Sequence, residues 1–146
     1  MFNSTLFDET TFYRKFIQDL QDASEEVVIE SPYITRERMR TLSPIFRSLI
    51  ERGVKIYVMT RDPKEHFDVL EDQSESEIRK FEALGVQVLL CKGNHHRKLA
   101  ILDRKLLWEG SLNILSQKKS REIMRRIENE QITQETFQFL HLGRFL

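Results

Sequence analysis

The sequence predicts an α/β protein with a mixed β-sheet flanked by helices on both faces. Its 146 residues fit one domain, and a chain of that length can bury a substantial core. The composition, 40% hydrophobic and 32% charged, is typical of a globular protein and unlike a disordered one. Segments with helical and strand patterns alternate over residues 10–90, as they do in layered α/β folds. We therefore expect residues 1–146 to form a single domain.

The first part of the chain predicts two helices with a strand between them. Residues 10–23 place apolar side chains at helical spacing, which predicts an amphipathic helix. The apolar run between Glu26 and Glu30 predicts a short buried strand. Thr35 can cap the following helix, which Gly53 ends.

Two further strands and a helix follow. Residues 54–59 predict a strand that ends before an Asp-Pro pair. Ser74 and Glu77 have the spacing of a capping box, so we expect a helix to begin there and to run to about Leu84. Residues 86–90 predict the third strand. This β-α-β-α-β order places functional loops at strand ends.

The next segment predicts two antiparallel strands joined by a turn. Residues 97–102 form a short apolar run bounded by charge, Asp103 begins a polar turn, and residues 106–108 begin the returning strand. The return brings residues 110–113 back beside His96.

This pair of strands carries the side chains that we expect to react. His96 and Lys98 are two residues apart, as are Ser111 and Asn113, so each pair would project from one face. Gly110 would let the backbone and a substrate approach closely. A neutral imidazole can attack phosphorus, a lysine can neutralise phosphate oxygens, and an amide can donate to the charge that develops in the transition state. The set predicts cleavage of a phosphodiester without a metal ion or other cofactor.

The spacing of these residues, H-x-K-x4-D-x6-G-S-x-N, resembles the signature of the phospholipase D superfamily at each fixed position. The strand, Ser-Pro-Tyr-Ile segment and helix that precede it extend the resemblance over about residues 10–135. The resemblance implies the family's mixed sheet between helices. It also implies a phosphohistidine intermediate, because in the family one motif histidine attacks phosphorus and a second protonates the leaving oxygen.

The chain contains one copy of this motif, since neither His66 nor His141 has a lysine two residues later. Larger members of the family carry two copies. The resemblance therefore implies a homodimer in which His96 of both subunits meets at the two-fold axis, as in the small single-motif nucleases of the family. Lys98 and Asn113 of each subunit would clamp the phosphate oxygens.

The resemblance also implies supporting roles for three other side chains. Ser111 would support the phosphate-binding network, and Asp103 would orient or balance the cationic set. Each imidazole needs its second nitrogen fixed, usually by a carboxylate, and family members place an acidic residue after the G-S-x-N element. Glu130 fits that pattern better than Glu128, and the choice between them stays open.

The net charge of zero conceals an uneven distribution. Residues 1–91 carry 12 basic and 17 acidic side chains, whereas residues 92–126 carry 10 basic and 3 acidic ones. Positive charge thus gathers near the motif, where a polyanion would be attracted. We expect nucleic acid to bind there, with a solvated basic helix over about residues 116–126 as the alternative. The predicted contacts are Lys92, Lys118, Lys119 and Arg121.

Other interpretations of the chain carry less weight. A metal site made of His95, His96 and Asp103 is disfavoured because neighbouring strand residues point in opposite directions. Trp108 is predicted to be core, whereas core packing and base stacking both stay open for Tyr33. No apolar run has the length of a membrane span and the first residues lack a signal peptide, so we expect a cytoplasmic protein without membrane association.

The favoured function is a metal-independent nuclease that cleaves DNA through a phosphohistidine, with its site shared across a homodimer. The alternative is a DNA-binding or targeting module with weak or no turnover. Similar domains occur attached to helicases and restriction enzymes, which leaves open a helicase or restriction partner and a chain that is a fragment of a larger DNA-processing protein. Phospholipid hydrolysis is disfavoured because lipid-acting members usually carry two motifs with membrane-engaging surfaces or secretion signals.

Overall fold

The computed structural model describes residues 3–65, 69–116 and 119–146. Within the second of these ranges, it describes side chains from residue 74 onward. Over these residues, seven strands and four α-helices form the predicted α/β architecture, which confirms the fold class. The strands are β1 (Asn3–Asp8), β2 (Glu26–Glu30), β3 (Lys55–Arg61), β4 (Gln87–Cys91), β5 (Leu99–Leu102), β6 (Leu106–Gly110) and β7 (Ile123–Glu128). The helices are α1 (Phe12–Asp22), α2 (Arg36–Glu51), α3 (Val69–Leu84) and α4 (Glu130–Phe139), with short 3₁₀ turns at Pro63–Glu65 and Leu142–Phe145.

The strands form one mixed sheet in the order β1-β7-β6-β5-β2-β3-β4. The β2, β3 and β4 strands are parallel, whereas β5 runs antiparallel to β2, and β6, β7 and β1 continue in antiparallel pairs. The carboxyl ends of β2, β3, β4 and β6 therefore meet the amino ends of β5 and β7. We call this side of the sheet the motif edge and the opposite side the distal edge.

Successive side chains of the central strands point to opposite faces and build two cores. Val27 and Ile29 pack with apolar side chains of α1, α2 and α3 on one face. Val28 packs on the other face with Phe137 and Leu142, which belong to α4 and the turn after it. Burial on both faces explains why β2 is a continuous apolar run.

The local sequence patterns predict several elements closely. The helix expected over residues 10–23 is α1, and the strand expected between Glu26 and Glu30 is β2. Thr35 caps α2 as expected, because its hydroxyl accepts a hydrogen bond from the Arg38 amide at 3.5 Å. Trp108 is fully buried, and its indole nitrogen donates to Asp19 at 2.8 Å, which confirms its place in the core.

One predicted helix start and one alternative helix are wrong. Ser74 and Glu77 lie inside α3 and are buried, so they do not cap its start. The alternative of a basic helix over residues 116–126 is also wrong, because residues 123–128 form β7, whose pairing with β1 and β6 overrides the helical spacing of its charges. None of the described helices is both long and apolar enough to cross a membrane.

Candidate active site

His96 and Lys98 lie at the motif edge, in an extended segment that leads into β5. The predicted strand began at residue 97, but the structure begins it at Leu99, so the two side chains do not share one face of a strand. Instead, the Lys98 ammonium donates to the main-chain carbonyl of His96 at 3.1 Å. The His96 ring is exposed to solvent. The imidazole is therefore accessible to a substrate, with a cation beside it.

Tyr33 and Arg61 complete the surroundings of His96. The ring of Tyr33 lies edge-on to the imidazole, with 6.0 Å between ring centroids, and its hydroxyl accepts from the Arg61 guanidinium at 3.2 Å. Desolvation, the Lys98 ammonium and the Arg61 guanidinium lower the pKa of His96 below its ordinary value. These surroundings favour the neutral ring, which is the form that a nucleophile needs.

Gly110 and Ser111 reach the same edge through the pairing of β6 with its neighbours. The Gly110 amide donates to the Lys98 carbonyl at 3.4 Å. A Cβ at Gly110 would collide with the Ile123 carbonyl oxygen and lie 2.9 Å from the Met124 Cα. The glycine is therefore needed for the close approach of β7, rather than for that of a substrate. The Ser111 hydroxyl accepts from the Ile123 amide at 3.0 Å, which holds the start of β7 beside the motif.

Asn113 follows in a loop held by Tyr13, whose hydroxyl donates to the Ile114 carbonyl at 2.6 Å. The Asn113 Oδ1 is buried and finds no hydrogen-bond partner among the described residues. Together with Ser120 and Glu122, the side chain lines a small cavity of about 40 Å³. This oxygen is thus an acceptor with unused hydrogen-bonding capacity.

Asp103 does not belong to this site, and the expectation that it orients the cationic set is wrong. It lies at the opposite end of β5, where its carboxylate accepts from the amides of Ser24 at 3.0 Å, Glu25 at 2.8 Å and Glu26 at 2.9 Å. Burial raises the pKa of Asp103, but these backbone hydrogen bonds outweigh it and leave the pKa below its ordinary value. Asp103 is thus a structural anchor of the distal edge.

Glu130 is also at the distal edge, so it does not orient His96. It is the first residue of α4, lines the same cavity as Asp103, and accepts from the Gln134 amide at 3.2 Å. Glu128, the other candidate, ends β7 on that side.

Glu122 is an acidic residue that follows the G-S-x-N element and lies at the motif edge. It directly precedes β7, accepts from the Ser120 hydroxyl at 2.8 Å and lines the cavity of Asn113. Sequence reasoning missed it because only Glu128 and Glu130 were considered for the acidic residue after the G-S-x-N element. Its short separation from Asn113 was the signal that could have found it.

The predicted nucleic-acid contacts are only partly described. Lys92 follows β4 at the motif edge and is exposed, as are Lys119 and Arg121 in the segment before β7. Lys118 lies outside the described residues. Three other cations of the basic segment, residues 92–126, are paired with carboxylates: Arg97 with Glu30, Arg104 with Glu26 and Arg126 with Asp19.

An open cavity of about 830 Å³ lies beside Lys98, between α4 and the sheet. Three of its apolar side chains, Leu6, Ile123 and Phe139, are exposed by 53%, 54% and 81%. This face of the sheet is covered less completely than the face under α1, α2 and α3, and it joins the motif edge.

Comparisons with known proteins agree with the fold. The profile of the family described as cardiolipin synthase, PLD-like domain, matches residues 16–141. NucT from Helicobacter pylori is similar at a TM-score of 0.77 and 21% identity, covering 95% of this chain and 93% of that one. Nuc, a phospholipase D family member from Salmonella typhimurium, is similar at 0.75 and 14% identity, covering 95% and 91%.

A phosphatidylserine synthase from Haemophilus influenzae is similar at a TM-score of 0.71 and 20% identity, covering 94% of this chain but 38% of that one. No curated protein sequence matches the chain. The family profile spans most of the sequence and includes the whole motif. The chain therefore belongs to the PLD-like domain family of the phospholipase D superfamily.

Proposed function

We propose that this protein is a metal-independent phosphodiesterase that cleaves DNA through a phosphohistidine. The observation that carries the proposal is an exposed His96 beside the Lys98 ammonium at the open motif edge, where its surroundings favour the neutral ring. A neutral imidazole has the lone pair needed to attack phosphorus, and the adjacent cation stabilises the charge that develops on the phosphate oxygens.

The reaction has two steps with a proton transfer in each. In the first, a ring nitrogen of one neutral His96 forms a bond to phosphorus, the bond to the leaving oxygen breaks, and a second imidazole, which begins the step in its protonated form, gives that oxygen a proton. In the second, the same imidazole takes a proton from water, the water oxygen bonds to phosphorus, and the bond to His96 breaks. The Asn113 amide can hold a phosphate oxygen in both steps.

The second imidazole is proposed to be His96 of a second copy in a two-fold homodimer. One motif per chain supplies one such histidine. The exposed apolar side chains Leu6, Ile123 and Phe139 beside Lys98 support an interface there, since apolar patches of this kind mark surfaces that associate.

DNA is the proposed substrate because exposed cations lie at the motif edge. Lys92, Lys119 and Arg121 lie at strand ends or in loops around the motif, where they can contact a phosphate backbone. We further propose that the protein acts in the cytoplasm, where nucleic acid is accessible.

The second candidate is a DNA-binding or targeting module with weak or no turnover, serving a helicase or restriction partner. The observation that favours it is the engagement of motif groups within the chain itself, since Lys98 binds the His96 carbonyl and Ser111 binds β7.

The test is cleavage of a labelled DNA in excess EDTA, with His96→Ala as the key variant. We expect the parent protein to cut and His96→Ala to lose at least about 10³-fold in kcat while still binding DNA. His141→Asn is the matched control, since asparagine tolerates the left-handed φ of 54° there and the histidine lies outside the motif. Binding without cutting by the parent would instead support the targeting module, and a requirement for a divalent ion would contradict the proposed chemistry.

A further inference from the structure

A buried carboxylate lies directly beneath the segment that carries His96. Glu30, the last residue of β2, is 1% exposed. Its two oxygens accept hydrogen bonds from the Arg97 guanidinium at 2.8 and 3.0 Å, which makes a bidentate ion pair. The His95 Nε2 lies 3.4 Å from the same carboxylate. Glu30 therefore contacts both neighbours of His96 along the chain.

A second carboxylate holds the start of the same segment. Glu65 accepts from the amides of Gly93 at 3.0 Å and Asn94 at 3.3 Å. Arg61 links this carboxylate to the ring beside His96, because it donates to Glu65 at 3.2 Å and to the Tyr33 hydroxyl at the same distance. Glu65 thus holds the start of the segment from residue 93 to residue 97, and Glu30 holds its end.

These contacts hold the chain on both sides of His96. Residues 92–98 lack regular secondary structure, so neither a helix nor a sheet ladder holds the backbone of the histidine. Bidentate, charge-assisted hydrogen bonds between arginine and a carboxylate are among the strongest and most directional contacts that can hold such a segment. In a reaction between positioned groups, a displacement of about 1 Å can cost about 10²-fold in rate.

We propose that Glu30 is a positioning residue which, through Arg97 and His95, holds His96 in the orientation needed to attack phosphorus. This inference rests on the proposed phosphodiesterase function. Glu30 does not touch the substrate and transfers no proton. It acts on the chemical step through the two residues that flank the nucleophile.

The same strand supplies a matched control. Glu26, at the other end of β2, accepts hydrogen bonds from Arg104 at 3.0 and 3.2 Å and forms the same kind of bidentate ion pair. Arg104 follows β5 at the distal edge, as Arg97 precedes β5 at the motif edge. The two pairs differ in whether a candidate nucleophile is attached to them.

The experiment compares Glu30→Gln with Glu26→Gln in cleavage of a labelled DNA, in EDTA and well below the Tm of each variant. We expect Glu30→Gln to lower kcat at least tenfold with KM within twofold of the parent value, and Glu26→Gln to leave both within twofold. Equal losses of kcat in the two variants, or an unchanged kcat in Glu30→Gln, would overturn the proposal.

Arg97→Gln completes a double-mutant cycle and keeps the proposal testable if Glu30→Gln does not fold. The Arg97 side chain is 45% exposed, so its replacement leaves no large cavity. If the pair acts as a unit, the double variant loses no more kcat than the more damaging single variant. Losses that multiply would show that the two side chains act independently, against the proposal.

A readout without turnover separates this inference from the proposed function. The ring resonances of His96, assigned by their absence from His96→Ala, report its surroundings in a ¹H–¹³C spectrum. We expect Glu30→Gln to shift or broaden them and Glu26→Gln to leave them in place. If the parent protein cleaves nothing, the proposed function fails, while an unperturbed His96 signal in Glu30→Gln would by itself overturn the positioning role.

Discussion

The two edges of the sheet are built from similar parts but differ in what they leave exposed. Each end of β2 carries a glutamate, and each glutamate binds an arginine that flanks β5. At the motif edge, Arg97 adjoins an exposed imidazole. At the distal edge, Arg104 follows Asp103, whose carboxylate is bound by three backbone amides. The comparison shows that one sequence motif can span a strand, with its reactive residues at one end and a structural residue at the other.

The distal edge is closed by a tight turn with an unusual backbone. Asp103 and Arg104 have φ of 54° and 55°, and the Lys105 amide donates to the Leu102 carbonyl at 3.1 Å, which defines a type I′ turn. Such φ values favour glycine or asparagine, and an arginine there is strained. The contacts of Arg104 with Glu26 and with the ring of Phe137 hold it in place. The motif edge, by contrast, leaves the imidazole of His96 exposed to solvent.

Substituting one motif residue at each edge tests whether only the motif edge contributes to catalysis. We expect Lys98→Ala to lower kcat by about 10² to 10³-fold, because a positioned donor to the developing charge is removed. Asp103→Asn should keep kcat within a fewfold of the parent value. Steady-state cleavage by both variants, compared at equal folded fraction, checks the prediction. A loss of kcat in Asp103→Asn as large as that in Lys98→Ala would return Asp103 to the site.

The next largest effect on activity is expected from a substitution on the exposed apolar face beside the motif edge. Phe139→Asp should weaken the proposed dimer and lower activity in proportion to the fall in dimer concentration, because a charge on that face must be desolvated on association. Molar mass by light scattering gives the oligomeric state. Leu90→Asp is the control, since Leu90 is also exposed, by 51%, but lies in β4 at the far side of the sheet.

Mixing subunits tests the shared site itself. When His96→Ala subunits are mixed with parent subunits, activity should approach the square of the parent fraction, since hybrids lack one histidine. A linear fall with verified subunit exchange would show that each chain works alone.

Asp103 should contribute stability that depends on pH. Its pKa is lowered in the folded state, so its contribution is present above the ordinary aspartate pKa and is lost as pH falls through the folded value. We expect Asp103→Ala to reduce the free energy of unfolding by about 1 to 3 kcal/mol at pH 7, since three backbone amides lose their acceptor. Urea unfolding of the parent and the variant should give free energies whose difference shrinks as the pH falls below about 4, while the cost of placing alanine at a φ of 54° stays constant. A difference in free energy that does not change with pH would contradict this account.

The smallest expected effect concerns salt. Replacing Lys119 and Arg121 by glutamine should reduce the slope of log binding constant against log salt, by about 0.9 for each DNA phosphate that the variant no longer neutralises. The matched double variant at the distal edge, Lys55→Gln with Lys105→Gln, should leave the slope unchanged. Equal slopes in all three proteins would assign the basic segment to the solvated surface.

The fold class and the return of the chain that brings Gly110 beside Lys98 could be predicted from the sequence alone. These features depend on patterns within a few residues of one another, such as the helical spacing in α1, the apolar run of β2 and the short return from β5 to β6. Trp108 was predicted as core for the same reason, and its complete burial confirms it.

Which side chains lie around the His96 imidazole depends on the tertiary structure. Asp103 and Glu130 were assigned to the site by their spacing, but strand direction carries both to the distal edge. Glu30 and Glu65 hold the segment of His96 because β2 and β3 end side by side at its edge of the sheet. Pairing between strands far apart in the chain depends on the packing of the whole sheet, and no local pattern encodes it.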